Sequence, residues 1–591
     1  MGRTKYRSFA LILGLLGLLL RQPVRAQSSG PPPQPADLIY NEMRTVYLGN
    51  LARRDNGVPP MRWNAEMTEA ARWFSWDSVE NQPPGFCGHL DSLGRWPSER
   101  VPSFGYLGNS WAENAFCGYV TPEQAIEGWM NSTYHRENLL NLDSWEVGLG
   151  YYLRAEDGRG YVTQDFGMDP LYPPLIIENE AISTDSPEVN LYLYGNADTA
   201  FGGVGPTVEM MLANEPCFAG ASWEPYRAES SWTLEPGLGW RTVYAKVRDA
   251  VGRTTVVSDT IYLGDDVPLD ELGLHLASAT HRQVTVYELD GNDLPYFQLS
   301  QNWFADDTLL QGNGERVNDP DALGGTAYRL FPGDGESRAR VWTTDFGKDT
   351  PFVAYFRLKV NDNTSDEEVA RISVKSGGIE YGPFSLKGTD FDAANVYQEF
   401  PIPFTFHDNP EDGSLFFNFW HSGQADVYVD GVYIFTEPYP VQSSFTWDVP
   451  GGHYRGGGIW LRYTDNAGSF SPVEDAVLIP RRISALPMSI SVMAEVSATT
   501  PTTRTLTIER KGCEPFGWDV GGNAPWLTVQ PEEETVRVVV DPREMAPGEY
   551  RASITIQAES GVIGSPIQVP VTLLVVEQIH RQYLPAILRA Y

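Results

Sequence analysis

From residue 36 onward the apolar positions fall at helical spacing. Leu38, Ile39, Met43, Val46, Tyr47 and Leu51 recur at three and four residues until Gly57 and two prolines stop the pattern. Met67, Ala70, Ala71 and Phe74 take it up again behind Asn64, so two amphipathic helices are predicted. A third is predicted from Pro122 to Met130, with Thr121 as N-cap and Pro122 in the first turn. The period then changes to two in Val147-Gly148-Leu149-Gly150-Tyr151 and in Tyr161-Val162-Thr163-Gln164-Asp165-Phe166, as expected of strands. The opening domain is therefore mixed α and β. After Pro173 helical spacing nearly disappears, and short alternating runs such as Val189, Leu191, Leu193 and Val243, Ala245, Val247 take over. These predict β-sandwiches.

The chain has 591 residues, enough for about three to five folding units at roughly 100 to 200 residues each. Its 56 Gly and 44 Pro indicate a loop-rich globular composition, not a coiled coil or a disordered chain. The net charge of −34 sets the field of the whole molecule against phosphate neutralisation, so nucleic-acid binding is not expected. Basic residues precede the apolar run Phe9 to Leu20, and Val24-Arg25-Ala26 carries small residues where a signal peptidase cuts. Twelve apolar residues are too few for a stable span, which needs about 20. Residues 1–26 are read as a signal peptide, with an uncleaved anchor as the lesser alternative, and the mature chain is expected to have no transmembrane helix. The Pro-rich stretch 27–35 is a linker.

An internal repeat divides the rest. Glu224-Pro225-Tyr226 followed by Ser230-Ser231-Trp232-Thr233 returns as Glu437-Pro438-Tyr439 followed by Ser443-Ser444-Phe445-Thr446. Asp249-Ala250-Val251-Gly252 returns as Asp465-Asn466-Ala467-Gly468. The second copy, 441–480, is either a truncated sandwich or half of one completed elsewhere. On the run Arg248 to Gly252, residues 171–265 resemble bacterial immunoglobulin-like modules. The aromatic strands of 266–440, ending in Asp426-Val427-Tyr428-Val429-Asp430-Gly431-Val432, look like the jelly-roll of galactose-binding-like and carbohydrate-binding modules. That likeness makes Trp303, Trp342 and Trp420 candidates for stacking on sugar rings; the competing reading is that they are core residues. Asp290, Asn292, Asp293, Asp319 and Asp321 are candidate Ca²⁺ ligands or simply turn residues. Residues 481–577 resemble a BACON-type sandwich on Asn523-Ala524-Pro525-Trp526-Leu527-Thr528-Val529 and Pro547-Gly548-Glu549-Tyr550. The tail 578–591 is short, basic and apolar, a terminal strand or a surface-sorting cue.

The four cysteines suit an oxidising compartment without making a disulfide scaffold. Cys87 and Cys117 lie within one predicted domain, and a bridge between them is the favoured pairing. Cys217 and Cys513 lie in different predicted domains; free, buried thiols are one reading of them, and the sequence leaves their redox state open.

Candidate chemistry gathers in residues 36–170, where His89 and His135 flank Glu113. The runs Gly88-His89-Leu90-Asp91-Ser92, Ala112-Glu113-Asn114, Trp129 to Asn138 and Thr163-Gln164-Asp165-Phe166-Gly167 resemble, in order and spacing, the bacterial branch of the CAP superfamily of cysteine-rich secretory, antigen and pathogenesis-related proteins. The resemblance implies an α-β-α sandwich with a cleft holding two His and acidic residues. His89 and His135 would be ligands of Zn²⁺ or another divalent ion, and Glu113 would orient one imidazole or act as base. Two departures stand out: Ala112 replaces the Gly of the family's GEN box, and Ser132 stands where eukaryotic members carry a second acid. A Ser132, His135 and Glu113 nucleophilic set is the least favoured reading, since no elbow frames Ser132. The expected protein is a secreted modular binding protein with glycans, lipids or cell-surface proteins as partners. A metal-assisted hydrolase and a lipid- or sterol-binding protein are the alternatives.

Overall fold

The structure, a computed structural model, describes residues 30–169, 172–195, 206–265, 267–269, 271–272, 283–333, 335–342, 346–407, 414–452, 458–513 and 515–578. The expected signal peptide and all but the first residue of the tail lie outside the described residues.

The first domain runs α1 (Ala36–Asp55), β1 (Arg62–Trp63), α2 (Ala65–Glu80), α3 (Pro97–Arg100), β2 (Asn109–Phe116), α4 (Pro122–Asn131), α5 (Thr133–Leu139), β3 (Glu146–Leu153) and β4 (Gly160–Met168). Its sheet has the order β1-β3-β4-β2. The Asn64 side chain caps α2 by accepting from the Met67 N–H, and Thr121 and Gln124 form a capping box on α4. The period-two pattern of β3 explains the layering. Val147, Leu149 and Tyr151 point towards α1 and α4, where they meet Val46, Ala125 and Trp129. Gly148 and Gly150 point the other way, and a Cβ at either would overlap the backbone of Met67 or Ala71, so α2 lies directly on the strand. The result is an α-β-α sandwich. Buried Arg53 ties its lower loops together by donating to the carbonyls of Pro59, Leu139, Asn141 and Ser144 at 2.6 to 2.9 Å.

Everything downstream is β-sandwich. Strands 175–177, 188–193 and 229–233 face the sheet of 183–184, 207–213, 224–225, 239–249 and 254–263. The second repeat copy does not stand alone. Ser444–Asp448 pairs with Gln283–Tyr287, and Trp460–Thr464 pairs with Tyr296–Ser300. The strands 283–300 thus belong to that sandwich and not to the jelly-roll, which occupies Phe304 to Thr436 as an insertion in it. Two sheets, one of six strands and one of five, enclose its core, which is continuous with the sandwich through Phe297, Leu299 and Trp447. Residues 482–576 form a final pair of four-stranded sheets over a Val- and Ile-rich core. No helix among the described residues is long and apolar enough to cross a membrane.

Buried polar contacts lock the modules together. Arg62 of the first domain pairs with Glu180 at 2.9 Å and Asp259 at 3.1 Å, and Trp145 stacks on Tyr194 with ring centroids 4.8 Å apart. Arg253 reaches forward to Asp306 at 2.7 Å and to the Phe304 carbonyl at 2.6 Å. Cys87 and Cys117 are bonded, with Cα atoms 5.3 Å apart. Cys217 and Cys513 are not free thiols: they form a second disulfide, Cα to Cα 4.8 Å, between the 207–263 sandwich and the last one. Their separation of 296 residues concealed the pairing, because only the packing of the modules brings the two loops together.

Two outcomes are expected. Gly150→Ala has no backbone-free space for its methyl group and should destabilise the first domain by roughly 1–3 kcal/mol or more, measured as a lowered urea midpoint of that domain's transition. The unreduced wild type should take up no thiol reagent, whereas Cys217→Ser should expose one reactive thiol, Cys513, and lose about 2–4 kcal/mol of stability.

Candidate functional site

The site forms where β2 and β4 pair, with Glu113 opposite Asp165 and Asn114 opposite Gln164. Both carboxyl groups are buried inside the domain. His89 arrives on the loop after α2. That loop is held by the Cys87–Cys117 bridge, by the Tyr161 hydroxyl donating to the Gly88 carbonyl at 2.7 Å, and by Phe86 stacking on Tyr161. So placed, His89 Nδ1 lies 2.6 Å from Glu113 Oε1. The other oxygen, Oε2, accepts from Nη2 of Arg100. Arg100 is fully buried at the end of α3, with its guanidinium 3.8 Å from the Phe74 ring centroid.

His135 sits on α5 beside the same strands. Its carbonyl accepts from Asn114 Nδ2 at 3.1 Å, and the Asn114 Oδ1 accepts from Asn138 at 3.0 Å. Asn114 Nδ2 also reaches Gln164 Oε1 at 3.2 Å. The four motif runs therefore meet in one network.

Electrostatics follow from burial. Burial pushes the Glu113 carboxyl up to about 7, with the Arg100 charge opposing. Asp165 is raised well above the ordinary carboxylate range, first by burial and then by Glu113. His89 is lowered by burial and by Arg100; His135 is lowered by burial and by its neighbour His89. Both imidazoles are neutral near pH 7 and lie within electrostatic reach of each other.

The structure thus brings His89, Glu113 and His135 together, with Glu113 as the group that orients His89. It also adds Arg100 and Asp165, which the sequence reading left unassigned. Asp165 sat in a quoted motif as a charge inside an apolar strand, a signal that was legible. Arg100 lay in the polar run Pro97-Ser98-Glu99-Arg100 and carried none.

Both Glu113 oxygens and His89 Nδ1 are engaged within the protein, which leaves His89 Nε2 and the His135 ring as the imidazole donors of the site. Zn²⁺ catalysis needs three protein ligands and a water, and among the described residues no group of three His, Cys, Asp or Glu is arranged to hold an ion. Ser132 ends α4 and precedes α5 half-buried, and among the described residues no hydrogen bond joins it to His135. In the jelly-roll, Lys359 takes the place of a cation: it pairs with Asp319 at 2.6 Å and approaches Asp321 at 3.6 Å, while Tyr397 donates to Asp319 at 2.7 Å. Asp290 precedes and Asp293 closes a short 3₁₀ turn, Gly291–Asp293, and neither belongs to an ion-holding group.

Trp303 is not a sugar platform. It is 7% exposed and packs against Phe346, Phe352 and Trp447, because the connection that carries it lines the core shared with the sandwich. The Trp342 side chain lies outside the described residues. Trp420 is half-buried on the outer face of its sheet, with Arg371 over its ring.

Three apolar side chains next to these residues in sequence are exposed: Leu90, Trp111 and Tyr134, at 39%, 38% and 80%.

Residues 41–166 match the model of the cysteine-rich secretory protein family, CAP. Over 133 residues the chain is 29% identical to the uncharacterised protein YkwD of Bacillus subtilis, covering 22% of this chain and 49% of YkwD. An extracellular protein containing an SCP domain from Bacillus anthracis matches at 25% identity over 24% of this chain and 45% of that one, with a TM-score of 0.20. A family 35 carbohydrate binding module from Clostridium thermocellum matches at 15% identity over 22% of this chain and 96% of the module, with a TM-score of 0.18. The chain thus spans about half the length of the CAP relatives it matches. Residues 41–166 of this chain, with His89, Glu113 and His135 in one network, are a CAP domain of the cysteine-rich secretory protein family.

Proposed function

We propose that this protein is exported and acts as a modular binding protein at the cell surface or in the extracellular matrix. In this reading the CAP groove and the β modules present ligand surfaces on one interlocked body. The observation that carries it is the commitment of both Glu113 oxygens, one to His89 and one to buried Arg100. A carboxylate held from both sides supports the walls of a groove and is poorly placed to activate water. The exposed apolar side chains of Leu90, Trp111 and Tyr134, next in sequence to the site residues, suit a lipid or protein partner. Two disulfides, one of them between modules, support an oxidising compartment.

One observation favours the hydrolase reading: a carboxyl raised to about 7 beside two neutral imidazoles has the proton affinity of an acid or base catalyst. The test is the full chain expressed with its own N-terminus. Export with loss of residues 1–26, co-sedimentation with insoluble extracellular polysaccharide, and no peptide or ester turnover that responds to His135→Ala are expected. Turnover abolished by His135→Ala would replace the binding role with catalysis.

The raised Glu113 also predicts a pH dependence. Its folded-state value of about 7 lies above the ordinary 4.5, so the folded protein binds the extra proton between those limits. That contribution to stability is complete below about 4.5 and is lost as pH rises through about 7. Relative to Glu113→Gln, the wild type should therefore lose about 3 kcal/mol between pH 4.5 and pH 8. Urea midpoints of the two proteins across that range give the measurement; a difference that stays constant with pH contradicts the assignment.

A further inference from the structure

The CAP domain and the first sandwich enclose an open cleft of about 990 Å³, separate from the His89 and His135 network. Its floor is the outer face of the three-stranded sheet. There Ile176, Tyr192 and Glu229 form one row and Asn190 and Ser231 the next, with Glu178 accepting from Asn190 Nδ2 at 3.0 Å. The alternate positions Ile177, Val189 and Leu191 fill the sandwich core, so strand geometry turns the floor residues away from it, towards the CAP domain. The segment after α1, Val58-Pro59-Pro60, forms the opposite wall. Tyr194 closes the two against each other by donating to the Pro60 carbonyl at 2.9 Å.

One end of the cleft is strained. Glu178, Asn179 and Glu180 are consecutive residues with φ of 44°, 58° and 67°, a left-handed region that residues bearing a Cβ visit singly and seldom in runs. The CAP domain holds this turn: Asn50 donates to the Asn179 carbonyl at 3.1 Å, and Arg62 pairs with Glu180 at 2.9 Å. Strain of this kind gathers at ligand clamps, and clefts between domains are favoured small-molecule sites.

The floor is not satisfied from within. Among the described residues the Tyr192 hydroxyl and the side chains of Glu229 and Ser231 make no hydrogen bond, although Tyr192 is half-buried. Burial and the charge of Glu229 raise the Tyr192 phenol above its ordinary value, so it stays a donor. The cations at the rim are already shared, Arg54 with Asp55 at 2.8 Å and Arg227 with Glu224 at 2.9 Å. With Glu178 and Glu229 also present, the cleft has no surplus of positive charge for a phosphate or sulfate.

We propose that this cleft binds a short neutral saccharide, a few units or a chain end of an extracellular glycan. Such a ligand brings hydroxyls that donate to Glu229, accept from Tyr192 and exchange in either sense with Ser231. Its C–H faces suit the Tyr192 ring and the apolar wall of Val58 and Pro59. An added peptide strand suits the cleft less: the free edge of the sheet runs only from Glu229 to Thr233, and Asn214 already takes the Thr233 carbonyl at 3.0 Å. The inference names a site and a ligand class for the binding role proposed above and rests on that reading.

The test is calorimetric titration of the full mature chain with soluble neutral oligosaccharides of glucose, xylose, mannose and N-acetylglucosamine, and with an alternating Val-Thr decapeptide as a strand probe. At least one oligosaccharide is expected to bind, with little response to salt. The exposed pair Glu229→Ala/Ser231→Ala should weaken it about tenfold, two hydrogen bonds of roughly threefold each. Tyr192→Phe, which keeps the ring, should weaken it about threefold. Ser231→Trp, which fills the floor, should abolish it while thermal melting stays unchanged. Oligosaccharide binding unmoved by these variants overturns the inference and leaves glycan binding standing, as does co-sedimentation with insoluble polysaccharide when no oligosaccharide binds. Failure of both overturns the glycan reading as well. Decapeptide binding that is tighter than any sugar's and is lost in Ser231→Trp overturns the inference in favour of strand addition.

Discussion

A carboxylate without solvent is the constraint around which the CAP domain is arranged. Glu113 is buried, and an isolated buried charge is too costly to persist unless partners compensate it. The domain supplies them from two directions, an imidazole from the loop after α2 and a guanidinium from α3. Each supplier is itself fastened, His89 by the disulfide-bound loop and Arg100 by Phe74. The placement of the His89 loop follows from satisfying one charge.

The same logic of buried charge joins the modules. Arg62 has both its partners, Glu180 and Asp259, in the neighbouring module, and Arg253, paired with Asp249 of its own hairpin, reaches Asp306 of the next. Removing one member would leave an uncompensated buried charge, which makes the orientation specific. The Cys217–Cys513 bond adds a covalent tie between sandwiches far apart in sequence. The protein is therefore less a string of beads than a body whose modules share ions, cores and a disulfide.

The jelly-roll illustrates how insertion directs surfaces. Its aromatic residues divide by strand parity: Phe417 and Phe419 fill the core, whereas Phe416 and Trp420 lie on the opposite face beside Arg338, Arg340 and Arg371. Residue type alone does not separate these roles; register does, because a shift of one residue exchanges the two faces.

The sequence by itself determined the elements and the local chemistry. The helical spacing of Leu38 to Leu51, the caps at Asn64 and Thr121, the alternation of β3 and the order of the four CAP motifs all depend on neighbours within a few residues, so they were readable from the chain. His89, Glu113 and His135 were likewise legible as residue types. Tertiary structure alone decided which side chains meet: that Arg100 answers Glu113, that Cys217 finds Cys513, that Lys359 answers Asp319, and that strands 283–300 complete the second repeat. These pairings join positions from 13 to 296 residues apart. They arise from packing and from the cost of burying charge, which no local pattern encodes.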